Sequence, residues 1–531
     1  MNGFTGKILH VDLDKRELTV EEPSAEFYRH YVGGSLMGLY YLWHNSPANI
    51  DALDPRNTLT FALSAPTGLP VSGQSRCTAT CKSPTTGGVA DSQAGGFWPA
   101  ELKFAGYDAI VIKGAADSPV YLSIIEGEAQ LHDASHLWGK TTLEVDEALK
   151  AELNDKKIEI AQIGPAGEKL SLFAAVMNMS NRAWGRTGIG AVMGSKKLKA
   201  IVVRGTRKVV PADKKAVSAF ARLGAGRLTE YGLDSFGRYG TPGVLASQQR
   251  SGGLPTNNWD SGGMSPELAE AISGERLYDE ILRGAEEGKQ DKLGRDTCYA
   301  CVVRCKRVVE SEYMSNKLIP EYGGPEYETI ATFGSYCGID DLRAITYANQ
   351  LCNEYGVDTI SCGATISWAT ECFEKGILTA EDTDGIVLRY GDAESMIAML
   401  KKVLNREGFG DYLADGSAKA ADRFGKGHEY LLTVKGQELP AHMPNVKRSL
   451  GLIYAANPFG ADHQSSEHDT GYHPKAYEGK PDAPGYKRFL DQIGLHKPQA
   501  PNAMNADKVE FALKTQYNYS ATDTLGICQF V

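Results

Sequence analysis

The sequence lacks any long apolar run. Its longest apolar stretches, such as Ala200 to Val203 and Ala109 to Ile112, are strand-sized. A membrane-spanning helix needs roughly 20 apolar residues, so no span is expected. The opening residues Met1-Asn2-Gly3-Phe4-Thr5-Gly6-Lys7 show no charged-then-apolar leader, and a cytoplasmic location is expected. Basic blocks and arms are missing too. The 56 Lys and Arg residues are outnumbered by 66 Asp and Glu, for a formal charge of −10, which argues against a general nucleic-acid binder. Cysteine is sparse. Ten in 531 residues make no disulfide scaffold and read instead as reduced thiols, some of them metal ligands.

Glycine is abundant. The 58 glycines exceed the usual share of about 7% and cluster beside small polar residues, as in loops that approach a ligand closely. The first two hundred residues read as β-rich. Ile8 to Val20 forms a hairpin pattern around Asp14-Lys15-Arg16, with further strands at 58–63, 76–82, 109–113, 120–125, 158–163 and 200–204. After a polar stretch with Pro211 the spacing turns helical, over 214–231, 267–287, 340–355, 362–375 and 393–404. The C-terminal part mixes helix with Gly/Pro-rich loops, especially over 457–485. The class is α+β: a β-rich N-terminal domain (1–208), a mainly helical domain (209–412), and a mixed helical C-terminal domain (413–531).

Cys298-Tyr-Ala-Cys301-Val-Val-Arg-Cys305 is the sharpest local signal. This spacing lets one turn of backbone present three thiolates to one iron–sulfur cluster, with a fourth cysteine arriving from elsewhere. Zinc is the competing ligand, though no partner pair follows at zinc-finger distance, and three unrelated buried thiols are the bland alternative. The fourth cysteine is one of Cys77, Cys81, Cys337, Cys352, Cys362, Cys372 and Cys528. Cys77 and Cys81 lie in a strand-like run, and Cys352, Cys362 and Cys372 on helical patterns where thiols are usually core. Spacing alone does not choose. Gly188-Ile-Gly190-Ala-Val-Met-Gly194 has its last glycine one residue too late for a dinucleotide fingerprint, so no NAD site is read there.

Colinear motifs run through the whole chain. They are Phe4-Thr5-Gly6-Lys7, Gly33-Gly34, Ser72-Gly73-Gln74-Ser75-Arg76, Lys82-Ser83-Pro84-Thr85-Thr86-Gly87, Asn181-Arg182-Ala183-Trp184-Gly185-Arg186, Gly190 to Lys196, the cysteine triplet, Gly324-Pro325-Glu326-Tyr327-Glu328-Thr329, Asn353 to Asp358, and Asp523-Thr524-Leu525-Gly526-Ile527-Cys528. In this order the chain resembles the aldehyde:ferredoxin oxidoreductase family of tungstopterin enzymes. The resemblance implies two pterin motifs of the form D-x-x-G-(L/I)-(C/D). The second, Asp523 to Cys528, makes Cys528 the fourth cluster ligand and Asp523 a pterin contact. The first departs from the pattern with Asn353 in place of Asp, while Gly356 and Asp358 match. Arg76 matches an arginine between cluster and pterin, and its planar fork suits two acceptors at once. Arg182 and Gly190 are expected in a cradle for a phosphate or pterin tail.

By the same resemblance, Glu328 faces the metal and His463 the substrate, as a proton-transfer pair beside an oxidised carbonyl. His468 and Glu467 are neighbours with no family warrant. Cys337 is the candidate thiolate ligand to tungsten, by analogy with relatives that reduce aromatic thioesters. The implied cofactors are one 4Fe-4S cluster, a tungsten or molybdenum bis-pterin and Mg²⁺. The implied reaction is oxidation of an aldehyde with water to a carboxylic acid, electrons passing to ferredoxin or a ferredoxin-like subunit. Two other readings stand beside it: low-potential reduction of an aromatic acyl-CoA, and a non-catalytic electron-transfer subunit. A homodimer is a family-level expectation, but the E-x-x-H pair that bridges subunits in some members has no counterpart near Tyr347 to Gln350. The chain stops three residues after Cys528, where the family usually continues, so a truncated C-terminal tail is expected.

Overall fold

The computed structural model describes residues 2–474 and 490–531. Two six-stranded mixed sheets make up the first two hundred residues. The first has the order β2-β1-β6-β3-β4-β5, from β1 (Ile8–Asp12), β2 (Glu17–Glu21), β3 (Leu59–Ala62), β4 (Cys77–Lys82), β5 (Val89–Ala94) and β6 (Ala109–Lys113). The second has the order β11-β10-β9-β12-β7-β8, from β7 (Val120–Ile125), β8 (Glu128–Asp133), β9 (Glu159–Ile163), β10 (Val176–Asn178), β11 (Arg182–Trp184) and β12 (Leu198–Arg204). The expected hairpin is β1–β2, paired from Ile8 with Glu21 to Asp12 with Glu17.

Period-two alternation explains how the layers pack. On β12, Leu198, Ile201 and Val203 join the core shared by the two sheets, while Ala200 and Val202 face the core under the 142–152 helix. A register shift between Leu198 and Ala200 resets the alternation. The shared core centres on Phe61, Trp98 and Trp184, whose ring centroids lie 5.4 to 5.7 Å apart. Each such side chain, fully buried, contributes about 1.5–3 kcal/mol. Both indole N–H groups are satisfied, Trp98 by the Ile201 carbonyl and Trp184 by that of Cys77.

Helices dominate after β12. Leu342–Tyr355, Thr359–Glu374 and Ala393–Asn405 each start on an aspartate whose carboxylate accepts two backbone N–H groups: Asp341, Asp358 and Asp392. The expected helix over 267–287 is broken. Ser273 caps a new start at Gly274, and a single π turn, Leu277–Ile281, ends the run. The 214–231 expectation shortens to Lys214–Gly226. One apolar core runs from Ala166 to Ala441 and includes Phe409, Leu413 and Ala414, so the boundary expected at 412/413 coincides with no break in packing. The Gly/Pro-rich stretch expected over 457–485 lies, from residue 475 on, outside the described residues. Among the described residues no helix is long and apolar enough to cross a membrane.

This architecture brings distant segments together. The last helix, Ala506–Thr524, reaches the first sheet, and the Cys528 N–H donates to the Gly73 carbonyl at 2.7 Å.

Candidate active site and cofactor cradle

The cysteine loop is pinned to the first sheet on both sides. Tyr299 N–H donates to the Gly96 carbonyl, Val302 N–H to Ser72 Oγ, and Gln74 Nε2 to the Tyr299 carbonyl. A Cβ added at Gly95 would meet Cys298 Sγ at 2.9 Å, so glycine lets that thiol approach. Cys298, Cys301, Cys305 and Cys528 are half-buried free thiols close enough to influence one another electrostatically. Burial, together with Glu326 and Cys528, pushes the Cys305 thiol up to about 12. Burial also raises Cys528, against the pull of Arg76.

The spacing of these sulfurs discriminates between metals. Among the described residues, no three of them lie within 4.8 Å of one another. A single zinc with bonds of about 2.3 Å would draw its thiolates closer than that. Thiolates set farther apart fit a polynuclear iron–sulfur group.

Arg76 stands at the entry of β4, close enough to influence both Cys528 and Asp523, and its Nε donates to Gln93 Oε1 at 3.3 Å. Burial raises the Asp523 carboxyl to about 7, helped by Asp91 and opposed by Arg76. Two buried polar atoms beside this group have no partner: Gln93 Nε2 and Gln529 Oε1. Gln529 Nε2 reaches Asp523 Oδ1 at 3.4 Å. A charged arginine, carboxylates and unspent amide groups suit a ring as rich in donors and acceptors as a pterin.

The other expected cofactor contacts divide. Asp358 is buried, caps the 359–374 helix and pairs with Arg186. Asn353 Nδ2 donates to the Tyr322 carbonyl at 2.9 Å, within the helical layer. Arg182 is held by the cysteine loop, with its Nε left without a partner. It donates to Asp296 Oδ2 and the Thr297 carbonyl at 2.9 Å each and lies beside Cys298, tying β11 to the cysteine loop. Gly190 forms no open cradle. Its N–H donates to the Ala174 carbonyl, and a Cβ there would meet the Ala175 carbonyl at 2.6 Å, so this glycine serves close backbone packing. Cys337 is packed among the helices. Its buried thiol donates to the Thr332 carbonyl at 3.4 Å in the helical core, where burial and nearby Cys362 raise it, which is the setting of a packed thiol.

Glu328 and His463 do come together. Glu328 sits in the first turn of the helix Tyr327–Phe333, its side chain 12% exposed. Its Oε2 accepts the Ala441 N–H at 2.8 Å. Its Oε1 lies 3.1 Å from His442 Nε2 and 3.4 Å from His463 Nε2, yet neither contact is aligned as a hydrogen bond. His463 Nδ1 is buried without a partner. Sequence reasoning missed His442 and Lys447, which belong to no motif. His468, noted only as a neighbour, completes the group, its ring 4.4 Å from that of His442. A surface cleft of about 760 Å³ near Arg343 and Arg389 shares no residue with this cluster.

Residues 8–205 match the family described as aldehyde ferredoxin oxidoreductase, N-terminal domain, and residues 227–531 match aldehyde ferredoxin oxidoreductase, domains 2 and 3. Tungsten-containing aldehyde ferredoxin oxidoreductase of Pyrococcus abyssi is 38% identical over 535 residues, covering 100% of this chain and 82% of that protein. The Pyrococcus horikoshii enzyme of the same name is likewise 38% identical with the same coverage. Among solved structures, the active-site complex BamBC of benzoyl coenzyme A reductase with 1,5-dienoyl-CoA superposes with a TM-score of 0.82. It is 26% identical, covering 100% of this chain and 82% of that one.

Proposed function

The chain belongs to the aldehyde ferredoxin oxidoreductase family, and from that premise we propose that it oxidises an aldehyde with water to the carboxylic acid. Two electrons and two protons leave in each turnover, and the electrons pass singly to ferredoxin or a ferredoxin-like subunit. The observation that carries the reading is the meeting of Glu328 and His463 in a buried polar cluster.

A tungsten bis-pterin, when bound, supplies the two-electron chemistry and hands the electrons to a 4Fe-4S cluster. Cys298, Cys301, Cys305 and Cys528 would hold that cluster, and Arg76 and Asp523 would lie on its pterin side. Mg²⁺ would be carried by the pterin phosphates. Glu328 Oε1, the carboxylate oxygen without an aligned partner, takes the proton of the attacking water. Glu328 Oε2 is held by the Ala441 N–H, so the carboxylate keeps its orientation while the other oxygen works. His463 Nδ1 is the ring atom left free to hydrogen-bond a substrate oxygen. The surrounding Tyr327, Tyr336 and Tyr454 are buried and turn their hydroxyls to the carbonyls of Ala441, Leu439 and His442, which keeps bulk water out and leaves the proton chemistry to the Glu328 group.

The solved relative bound to 1,5-dienoyl-CoA favours a second reading, reduction of an aromatic acyl-CoA. The packed position of Cys337 weighs against it. Anaerobically purified protein, checked for about four irons and one tungsten or molybdenum, is to be assayed with a panel of aldehydes and with aromatic acyl-CoA. Aldehyde-dependent reduction of ferredoxin supports the first reading. Turnover of acyl-CoA alone replaces it with the second. Iron without either heavy metal, from supplemented cells, overturns both in favour of an electron carrier.

A further inference from the structure

Behind Glu328 lies a buried lysine that the aldehyde-oxidation reading does not use. Lys447 is 2% exposed. Its Nζ lies 2.9 Å from His442 Nδ1 and 3.1 Å from His468 Nδ1. An ammonium has three donors and no acceptor, so each Nδ1 facing it must accept, and the proton of each neutral imidazole is forced onto Nε2. Gln248 Nε2, 2.7 Å from His442 Nδ1, presents a second donor to the same atom. The two Nε2–H groups then have defined targets. That of His442 lies 3.1 Å from Glu328 Oε1 without hydrogen-bond alignment, and that of His468 points at the His463 carbonyl, 3.0 Å away.

We propose that Lys447 is a positioning residue that sets the tautomers of His442 and His468, so that one histidine presents an N–H to the Glu328 carboxylate and the other holds the backbone of His463. One cation thereby orients both members of the proton-transfer pair through one imidazole each. Burial, with Lys447 next, holds both imidazoles well below the usual histidine range, which keeps them neutral and their tautomers meaningful. Burial lowers Lys447 itself to about 8, against Glu328, Asp469 and Glu467, so it is still an ammonium at neutral pH. Glu328, His442 and His463 offer three atoms within 4.8 Å of one another, a spacing that suits a metal ion. The Lys447 ammonium against His442 disfavours a second cation there, and proton handling is the better use of the group.

The kinetic half of this inference rests on the aldehyde-oxidation reading, whereas the tautomer half does not. Holoenzyme carrying Lys447→Met is to be compared with wild type and with Lys447→Gln, which keeps a neutral donor. Nitrogen-15 NMR of labelled histidine is expected to show Nε2–H tautomers for His442 and His468 in wild type, and a weakened preference in K447M at His468, whose Nδ1 faces Lys447 without the Gln248 donor that also serves His442. With the best aldehyde, kcat of K447M is expected to fall about tenfold or more with KM nearly unchanged, and K447Q to recover part of it. An Nδ1–H tautomer at either histidine in wild type overturns the proposal. So does a K447M kcat and pH profile equal to wild type. If K447M does not fold, the same comparison on K447Q decides. A wild type that oxidises no aldehyde removes the functional reading and leaves the NMR result to judge Lys447.

Discussion

Arg186 Nε lies 3.2 Å from Asp358 Oδ2, and this contact joins the loop after β11 to the cap of the 359–374 helix. The other two guanidinium nitrogens donate to the carbonyls of Ala461 and Glu438 at 2.7 Å each. One planar fork therefore satisfies three segments: the helix-capping aspartate, the loop leading to His463, and the strand before His442. The Asp358 carboxylate is also spent on the N–H groups of Ile360 and Ser361.

Breaking that junction costs stability before it costs chemistry. Arg186→Met leaves Asp358 without its counter-ion and the Glu438 carbonyl without its guanidinium donor, while the Ala461 carbonyl keeps Gln437 Nε2. Removal of one partner from a buried pair typically costs about 3–5 kcal/mol. Arg186→Lys keeps the charge but loses the fork, so recovery is expected to be partial. Denaturant unfolding of the cofactor-free chain measures both, and an R186M midpoint equal to wild type would show that the junction is dispensable.

Glu328→Gln separates proton transfer from cofactor assembly. The amide preserves shape and one acceptor but cannot take a proton, and loss of a general base commonly costs 10²- to 10⁴-fold, so kcat is expected to fall by about that much. Iron and heavy-metal content should stay at wild-type levels, because no cysteine ligand is touched. A variant with normal metal content and normal kcat would remove Glu328 from the chemistry.

The four cysteines are tested by Cys528→Ser against Cys77→Ser. Cys528 follows a last helix that packs on the 34–45 helix, and its N–H is held by the Gly73 carbonyl. Cys77 is fully buried in β4 among apolar neighbours. Loss of cluster absorbance and of the reduced-cluster EPR signal is expected for C528S alone. Retention of a full cluster in C528S would point to another fourth ligand.

Much of this arrangement could be read from the sequence, because local patterns dictated it. The β1–β2 hairpin follows from alternation around Asp14 to Arg16, and the helices at 342–355 and 359–374 follow from an aspartate before an apolar period. The 267–287 segment misled, because a 3.6-residue spacing survives across Ser273 although that serine restarts the helix. Arg182 and Gly190 were less legible for another reason. A glycine-rich turn after an arginine looks the same whether it faces a ligand or a neighbouring backbone, and only the approach of Ala174 and Asp296 distinguishes the two. His442 and Lys447 were invisible, since no spacing rule announces residues that meet Glu328 only through tertiary packing.

Glu159, away from the cofactor cradle, carries the pH prediction. Burial raises its carboxyl from the ordinary 4.5 to about 8, with Lys150 pulling it back and Asp146 pushing it up. Between those two values the unfolded chain has released its proton while the folded chain retains it. The unfolded state then binds fewer protons, so stability falls as pH rises from about 4.5 to about 8 and levels off above. A tenfold difference in proton affinity between the two states is worth about 1.4 kcal/mol, and partial solvent access at the start of β9 reduces the total. Glu159→Gln is neutral at every pH and lacks this loss. It is expected to unfold like wild type near pH 4.5 and to exceed it by about 2 kcal/mol at pH 9. Denaturant unfolding at the two pH values decides the point, and equal stability of E159Q and wild type at pH 9 would mean that Glu159 ionises in the folded chain as it does in water.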